Sequence, residues 1–189
     1  MTDAMIIDSR SRAEPALSWS AIVAGTLVAV ATSVLLTVLA SGFGYDLAAG
    51  ALASRRALDA FTPEVGAAAV AIQVISAGLG GYLAGRLRHA WTLAHLDEAH
   101  FRDTAQGLIV WALATVVGVV LTALVIAPYA AALAPAAAAT PPVDAARAAQ
   151  IASQSAFFTA VGMLLSAFTA AVAGRVGGLQ TEHMLAKGR

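Results

Sequence analysis

Apolar residues fill four long stretches of this chain, and most of the charged residues lie between them. The stretches cover residues 19–43, 65–85, 107–127 and 154–174, and none of them contains Asp, Glu, Lys, Arg or His. A helix needs about 20 apolar residues to cross the hydrocarbon core of a bilayer, whereas a helix on the core of a soluble protein keeps a polar stripe. The pattern predicts an all-α membrane protein with four transmembrane helices.

The composition agrees with this prediction, and the positions of the apolar stretches indicate the domain organisation. Only 12% of the 189 residues are charged, against about 25% in a typical soluble domain. We expect a tail over residues 1–17, a transmembrane domain over 18–176 with a loop at 86–106, and a second tail over 177–189. The first apolar stretch exceeds the roughly 7–15 residues of a signal-peptide core, so we expect it to be retained as an anchor.

The basic residues predict the orientation of the chain. An even number of spans places both termini on one side of the membrane, together with the 86–106 loop. That side holds eight of the 11 basic residues, Arg10, Arg12, Arg86, Arg88, Arg102, Arg175, Lys187 and Arg189, and the other side holds Arg55, Arg56 and Arg147. Cytoplasmic loops carry the excess of Lys and Arg, so both termini are expected in the cytoplasm.

The two halves of the chain share one layout. Each half has a Trp near the start of its first helix, and each second helix ends in Ala-Gly-Arg, at Arg86 and at Arg175. This predicts two similar helical hairpins packed as a bundle; the alternative is that bilayer thickness alone sets the spacing. Small residues four apart let helices approach closely in lipid. We therefore expect helix packing at Gly81, Gly85, Gly174 and Gly178, within the bundle or between chains.

Histidines and charged residues are concentrated in one segment, residues 88–107, with the sequence RHAWTLAHLDEAHFRDTAQG. One hypothesis is a docking surface for a protein partner, formed by His95, Asp97, Glu98, His100 and Arg102. The alternative is an ordinary interfacial helix in which Glu98 pairs with Arg102 at the i, i+4 spacing. On a helix the two histidines lie about 140° apart, unlike the i, i+4 pair of zinc helices. We expect no metal, cofactor or catalytic residue, and zero net charge argues against nucleic acid.

Inside the spans the polar side chains are few and uncharged. We expect Gln73 to bond a neighbouring helix, with coordination of a solute as the alternative. The Ser and Thr hydroxyls should bond to carbonyls of their own helices; they include Ser33, Ser76, Thr115, Thr122, Thr159 and Ser166. Without ionisable groups in the spans, a proton pump is not expected.

Three segments carry a resemblance: SWSAIVAG at 18–25, GGYLAGRLR at 80–88 and HLDEAHFRDTAQGLIVWALAT at 95–115. They resemble an uncharacterised family of small four-helix inner-membrane proteins of bacteria, mainly alphaproteobacteria. The resemblance covers most of residues 18–115 and implies location and architecture, not chemistry. Members often have His just before the glycine of the third helix, where this chain has Gln106.

These features lead to a functional hypothesis. We expect a non-enzymatic protein of the bacterial inner membrane that is a homo-oligomer or a small accessory subunit of a larger membrane assembly, with lipid and membrane proteins as partners. The alternative is a channel or facilitator for small neutral or weakly polar solutes. A membrane enzyme that uses the histidines and acids of 89–103 is a third, less favoured class.

The predicted orientation can be tested with a fusion. An enzyme reporter that works only in the cytoplasm, fused after Arg189, should be active because the positive-inside rule places the C terminus there. The same reporter inserted after Arg55 should be inactive. A reporter active only outside the cell after Arg189 would contradict the orientation.

Overall fold

The computed structural model describes residues 17–45, 62–88, 96–138 and 145–187. Four helices occupy these ranges: α1 (Trp19–Gly42), α2 (Pro63–Leu87), α3 (Leu96–Ala138) and α4 (Ala145–Lys187). Each helix is long and apolar enough to cross a membrane, and the described ranges contain no strand. The predicted fold class, an all-α membrane protein with four transmembrane helices, is confirmed.

The start of α2 shows how its sequence sets a helix boundary. Thr62 is the N-cap residue, and its side chain accepts a hydrogen bond from the backbone N–H of Val65 at 3.4 Å. Pro63 follows at the first helical position, where its missing N–H leaves no helical bond unmade. Glu64 lies in the first turn, where a negative charge favours the helix dipole.

Two helices are longer than the apolar stretches that predict them. The α3 helix begins at Leu96, within the predicted 86–106 loop, and continues past residue 127 to Ala138. The α4 helix runs from Ala145 to Lys187, through most of the predicted 177–189 tail. The predicted loop and tail are thus helical over these residues. Hydropathy marks only the part of a helix that crosses lipid: alanine-rich sequence of high helix propensity continues the helices at 130–138 and 145–152, and contacts with α2 accompany them at 96–106 and 177–187.

Helix α2 is the centre of the bundle. It packs against α4 along its length and against α1 and α3, and α3 also packs against α1 and α4. Because the helices alternate in direction, α1 and α3 begin at the end of the bundle where α2 and α4 finish. We call this the basic end, since it carries Arg86, Arg88, Arg102 and Arg175.

Glycines bring the backbones of α2 and its neighbours into contact. A Cβ atom on Gly80 would lie 2.6 Å from the carbonyl oxygen of Gly25 and 2.8 Å from the Cβ of Ala29, both on α1. Gly81 faces the opposite partner, because a Cβ there would collide with the backbone of Ala170 on α4. Adjacent glycines thus serve two different helix contacts.

The remaining packing glycines join α2, α3 and α4. A Cβ on Gly85 would collide with the carbonyl of Gly174, and one on Gly174 would lie 2.7 Å from the carbonyl oxygen of Asp103 on α3. A Cβ on Gly178 would collide with the side chain of Asp103. Gly81, Gly85, Gly174 and Gly178 therefore all lie at helix–helix contacts near the basic end.

The bundle is tight at the basic end and open at the other. All seven residues of 119–125 on α3 are exposed, which covers nearly two full turns and thus every face of the helix. On α1, the large side chains exposed in the same half are Val34, Leu35, Val38, Leu39 and Phe43. Among the residues that the structure describes, packing leaves 119–125 of α3 and these side chains of α1 exposed.

Replacing Gly85 by Ala tests the close contact between α2 and α4. The added methyl group has no space against Gly174, so the variant should lose about 1–3 kcal/mol of stability, the usual cost of overpacking. Thermal unfolding in mild detergent measures the loss. The control is Gly118→Ala on α3, where nothing lies within 4 Å of an added Cβ. Equal melting of the two variants would contradict a packing role for Gly85.

Candidate functional site

A buried ion pair joins α2 to α3 at the basic end. Arg88 directly follows α2, and Asp103 lies two turns into α3. The Nη2 of Arg88 donates to Oδ2 of Asp103 at 2.8 Å, and its Nε pairs with Oδ1. The exposed fractions of the two side chains are 0% and 1%. Close pairing of guanidinium and carboxylate, with a hydrogen bond between them, offsets the cost of removing both charges from water.

Two neighbours complete this site. Gly178 on α4 leaves the space that the carboxylate of Asp103 occupies, and a Cβ there would also lie 3.1 Å from Nη2 of Arg88. Gln106, one turn after Asp103, is fully buried and donates from Nε2 to the carbonyl of Ala84 on α2 at 3.0 Å. Its Oε1 has no hydrogen-bond partner within the described part of the chain. Polar contacts therefore connect α2 and α3 at this level, and α4 packs closely against them at Gly178.

A second set of hydrogen bonds joins α2 to α4 near the C-terminal end of α4. The Oε1 of Gln180 accepts from the Tyr82 hydroxyl at 2.6 Å and from Nη1 of Arg86 at 2.9 Å. Thr181 donates to the carbonyl of Arg86 at 3.1 Å. Arg86, which ends the first Ala-Gly-Arg sequence, is thus held by α4.

The docking surface stays a prediction, and four of its five residues lie in the first two turns of α3. His95 lies outside the described residues, and Asp97 belongs to the first turn of α3. Glu98 is half exposed and accepts from Nε of Arg102 at 2.7 Å, as the interfacial-helix alternative predicts. His100 is half-buried. In the described ranges no three His, Asp or Glu residues are placed to hold a metal ion.

The sequence interpretation missed the pairing of Arg88 with Asp103, although a signal for it was present. Ala99, Asp103, Gln106 and Val110 follow the i, i+4, i+7, i+11 spacing of one helix face, and all four are buried. Glu98 and Arg102 lie on another face and reach solvent. A charged residue in register with small and apolar ones indicates a buried charge that needs a partner.

A cavity of about 620 Å³ lies between the four helices, beside the middle of α2. Its lining is mostly Ala, Val, Gly, Met and Trp, with polar side chains spread among them. The polar lining residues are Ser33 on α1, Gln73 and Ser76 on α2, Thr115 and Thr122 on α3, and Thr159 and Ser166 on α4. None of the described lining residues is charged.

Most of these polar groups behave as predicted. Ser33, Thr115, Thr159 and Ser166 donate to carbonyls three or four residues earlier in their own helices, at 2.8–3.1 Å. Trp111 lies 15 residues after the start of α3 and lines the cavity. Its Nε1 donates to Ser166 Oγ at 2.9 Å.

Gln73 and Ser76 depart from the prediction. Ser76 is 4% exposed, and its hydroxyl makes no hydrogen bond to any part of the chain that the structure describes. The same holds for Oε1 of Gln73, which was expected to bond a neighbouring helix. Gly162 on α4 leaves the space in which this oxygen lies.

The cavity is closed on the side that faces the basic end. Beyond Ala29, Ala77 and Trp111 come the backbone contacts of Gly80 with α1 and of Gly81 with α4. A buried apolar cluster of Ile22, Ala84 and Val110 follows. On the other side the lining reaches exposed residues, Val119, Thr122 and Thr159. The cavity is thus a blind pocket that opens between the outer halves of α3 and α4.

Comparison with known proteins gave no significant match to a family model, a curated protein or a solved structure. The function of the chain therefore has to be inferred from its own structure.

Removing one charge of the buried pair should destabilise the bundle strongly. We expect Arg88→Met to cost about 3–5 kcal/mol, because the carboxylate of Asp103 would stay buried without its partner. The double variant Arg88→Met with Asp103→Leu should recover much of this loss, since it removes both desolvation costs. Thermal unfolding in detergent measures the stability of the single and the double variant. The control is Arg102→Met, on the exposed face of α3. A double variant as unstable as the sum of its single variants would contradict the pairing.

Proposed function

We propose that the chain is a non-enzymatic protein of the bacterial inner membrane that acts as an assembly unit, either as a homo-oligomer or as a small accessory subunit of a larger complex. The four apolar helices make it an integral, multi-pass membrane protein. The proposed role as an assembly unit depends on the uneven packing of the bundle.

The observation that carries this proposal is the exposure of α3 over 119–125. A helix that belongs to a completed bundle buries one stripe against its neighbours. Here the stretch is exposed on every face, and Leu124 is 67% exposed. The outer half of α1 is uncovered at the same level, where Leu35 is 65% exposed. Helices from a second chain would give both segments the packing contacts that their own bundle does not provide.

The distribution of charge supports the proposed location. The basic end carries the Arg residues of both hairpin ends, which suits the cytoplasmic side of an inner membrane. At this end Glu98 and Arg102 form an exposed pair. A cytoplasmic partner of an accessory subunit would meet this surface first.

The alternative of a channel or facilitator has less support. A solute that entered the cavity would meet the backbone contacts of Gly80 and Gly81 and the buried cluster around Val110 before the basic end. A route across the membrane would have to break these contacts or run between chains. Solute flux into liposomes that contain the purified protein tests this alternative directly.

Assembly through the outer half of α3 can be tested by disulfide cross-linking in membranes. The chain has no cysteine, so Leu124→Cys carries a single reactive thiol. If copies associate through this surface, mild oxidation should convert most of the variant to a dimer. Leu27→Cys, on the half of α1 nearer the basic end and 64% exposed, is the matched control and should remain monomeric.

Native mass spectrometry in mild detergent separates the two forms of the proposal. A homo-oligomer gives a multiple of the chain mass, and an accessory subunit gives a stoichiometric complex with a second membrane protein. A monomer in the source membrane extract, together with no cross-link from Leu124→Cys, would contradict both forms.

A further inference from the structure

We propose that Arg86 and Gln180, which meet where α2 packs against α4 at the basic end, bind the phosphate of an anionic phospholipid. Both residues belong to one chain and contact each other across the two helices. The binding therefore does not depend on the assembly proposed above. It also does not depend on which leaflet of the membrane meets the basic end.

The two residues lie at the level where the bundle leaves the hydrocarbon core of the membrane. The apolar span of α2 covers Pro63–Leu87, and that of α4 covers Ala149–Thr181. Arg86 and Gln180 each stand one position before the end of their span. Phospholipid headgroups border the hydrocarbon core, so their phosphates lie at the height of these two side chains.

Hydrogen bonds across the helices hold the guanidinium of Arg86 and leave most of its donors available. The Oε1 of Gln180 accepts from Nη1 of Arg86 at 2.9 Å and from the Tyr82 hydroxyl at 2.6 Å. A guanidinium has five N–H donors, and Arg86 makes no other side-chain hydrogen bond to the residues that the structure describes. Its edge with Nε and Nη2 is therefore available for two parallel bonds to phosphate oxygens.

Gln180 adds a further donor, and the site is accessible. Because its Oε1 faces Arg86 and Tyr82, its Nε2 amide group remains for a ligand, with no partner in the described part of the chain. Gln180 is exposed and Arg86 is half-buried, so a headgroup reaches both side chains without any change in the bundle.

The charge of Arg86 specifies an anion. At the same end of the bundle, Arg88 and Arg102 each pair with a carboxylate of α3. No carboxylate among the described residues forms an ion pair with Arg86. A headgroup that also carries an ammonium needs an acceptor as well, but the Oε1 of Gln180 already accepts two bonds. The site therefore favours an anionic headgroup, such as phosphatidylglycerol, over a zwitterionic one.

The rest of the same face of α2 suits the acyl chain of a lipid. Four residues follow the i, i+4, i+7, i+11 spacing of one helix face: Ile75, Leu79, Tyr82 and Arg86. Ile75 is 50% exposed and Leu79 is 47% exposed. An acyl chain that descends from a phosphate at Arg86 would contact these apolar side chains, whereas a free phosphate ion would gain nothing from them. This face therefore favours a phospholipid over a soluble phosphate.

Arg175 provides a matched comparison within the same chain. It ends the second Ala-Gly-Arg sequence as Arg86 ends the first. It is exposed, and its side chain makes no hydrogen bond to the part of the chain that the structure describes. General attraction between basic residues and anionic lipid would involve both arginines alike. A site built by the contact with Gln180 involves Arg86 alone.

Native mass spectrometry of the full chain in mild detergent tests the site by counting bound lipids. The probes are phosphatidylglycerol and phosphatidylethanolamine with the same acyl chains. One phosphatidylglycerol should bind per chain, about fivefold more tightly than phosphatidylethanolamine, the ratio given by one basic residue near a membrane surface. This comparison uses the unaltered chain, so it stands even if a substitution unfolds the protein.

Variants assign the binding to the two residues. Arg86→Gln should lower the affinity for phosphatidylglycerol about tenfold, because the charge-assisted hydrogen bonds to phosphate are lost. Gln180→Leu should lower it about fivefold, through the loss of one neutral hydrogen bond. Arg175→Gln removes the same charge at the matching position and should leave the affinity unchanged.

Three results would overturn the proposal. Equal affinity for the two lipids would show that the surface holds any phospholipid. Equal loss of affinity in Arg86→Gln and Arg175→Gln would show attraction by overall charge rather than a site. Displacement of the lipid by soluble glycerol phosphate would show that the headgroup alone is bound, without the acyl chain. None of these results bears on the cross-linking of Leu124→Cys, so the two proposals fail separately.

Discussion

The buried ion pair between Arg88 and Asp103 constrains the whole basic end of the bundle. Two charges removed from water cost several kcal/mol each, and only close pairing with good hydrogen bonds offsets that cost. The pair therefore fixes where α2 ends relative to α3, within the reach of one arginine side chain. Gly178 of α4 leaves the space that the carboxylate of Asp103 occupies. The ion pair thus fixes α2 relative to α3, and close packing at Gly178 adds α4.

Small residues continue the close packing of the helices from the basic end to the middle of the bundle. Lipid provides no hydrophobic force between helices, so contacts depend on close approach and interhelical bonds. Gly80 contacts α1, while Gly81 and Gly85 contact α4. Further out, α2 and α4 stay together through Gly66 with Phe158 and through Gly162 with Gln73. The described residues of α1 and α3 make no comparable glycine contacts there, and the cavity lies beside them.

The sequence predicted the four helices because apolar length is a local property that needs no tertiary information. It also placed four glycines at positions that the structure puts in helix contacts, since spacing of four marks one helix face. Hydropathy alone did not mark the helix over 96–106 and 177–187, which continues beyond the apolar stretches. Helix ends outside lipid depend on propensity and packing rather than on hydropathy.

The sites were harder to predict than the helices. Arg88 and Asp103 are 15 residues apart, and nothing in their separation identifies them as partners. The cavity draws polar residues from four helices, and their convergence depends on how the helices are rotated about their axes. The hydroxyls of Ser33, Thr115, Thr159 and Ser166 were correctly expected to bond their own helices. The exceptional behaviour of Ser76 and Gln73 follows from their surroundings, which only the folded bundle defines.

Packing at one end gives α3 the mechanics of a lever. Contacts with the other helices hold it from Asp103 to Trp111, whereas the residues over 119–125 are all exposed in the part of the chain that the structure describes. At 1.5 Å per residue, Val125 lies about 21 Å beyond Trp111, so a tilt of about 5° at Trp111 moves Val125 by about 2 Å. The width of the cavity mouth, where Val119 and Thr122 lie, therefore depends on the tilt of α3.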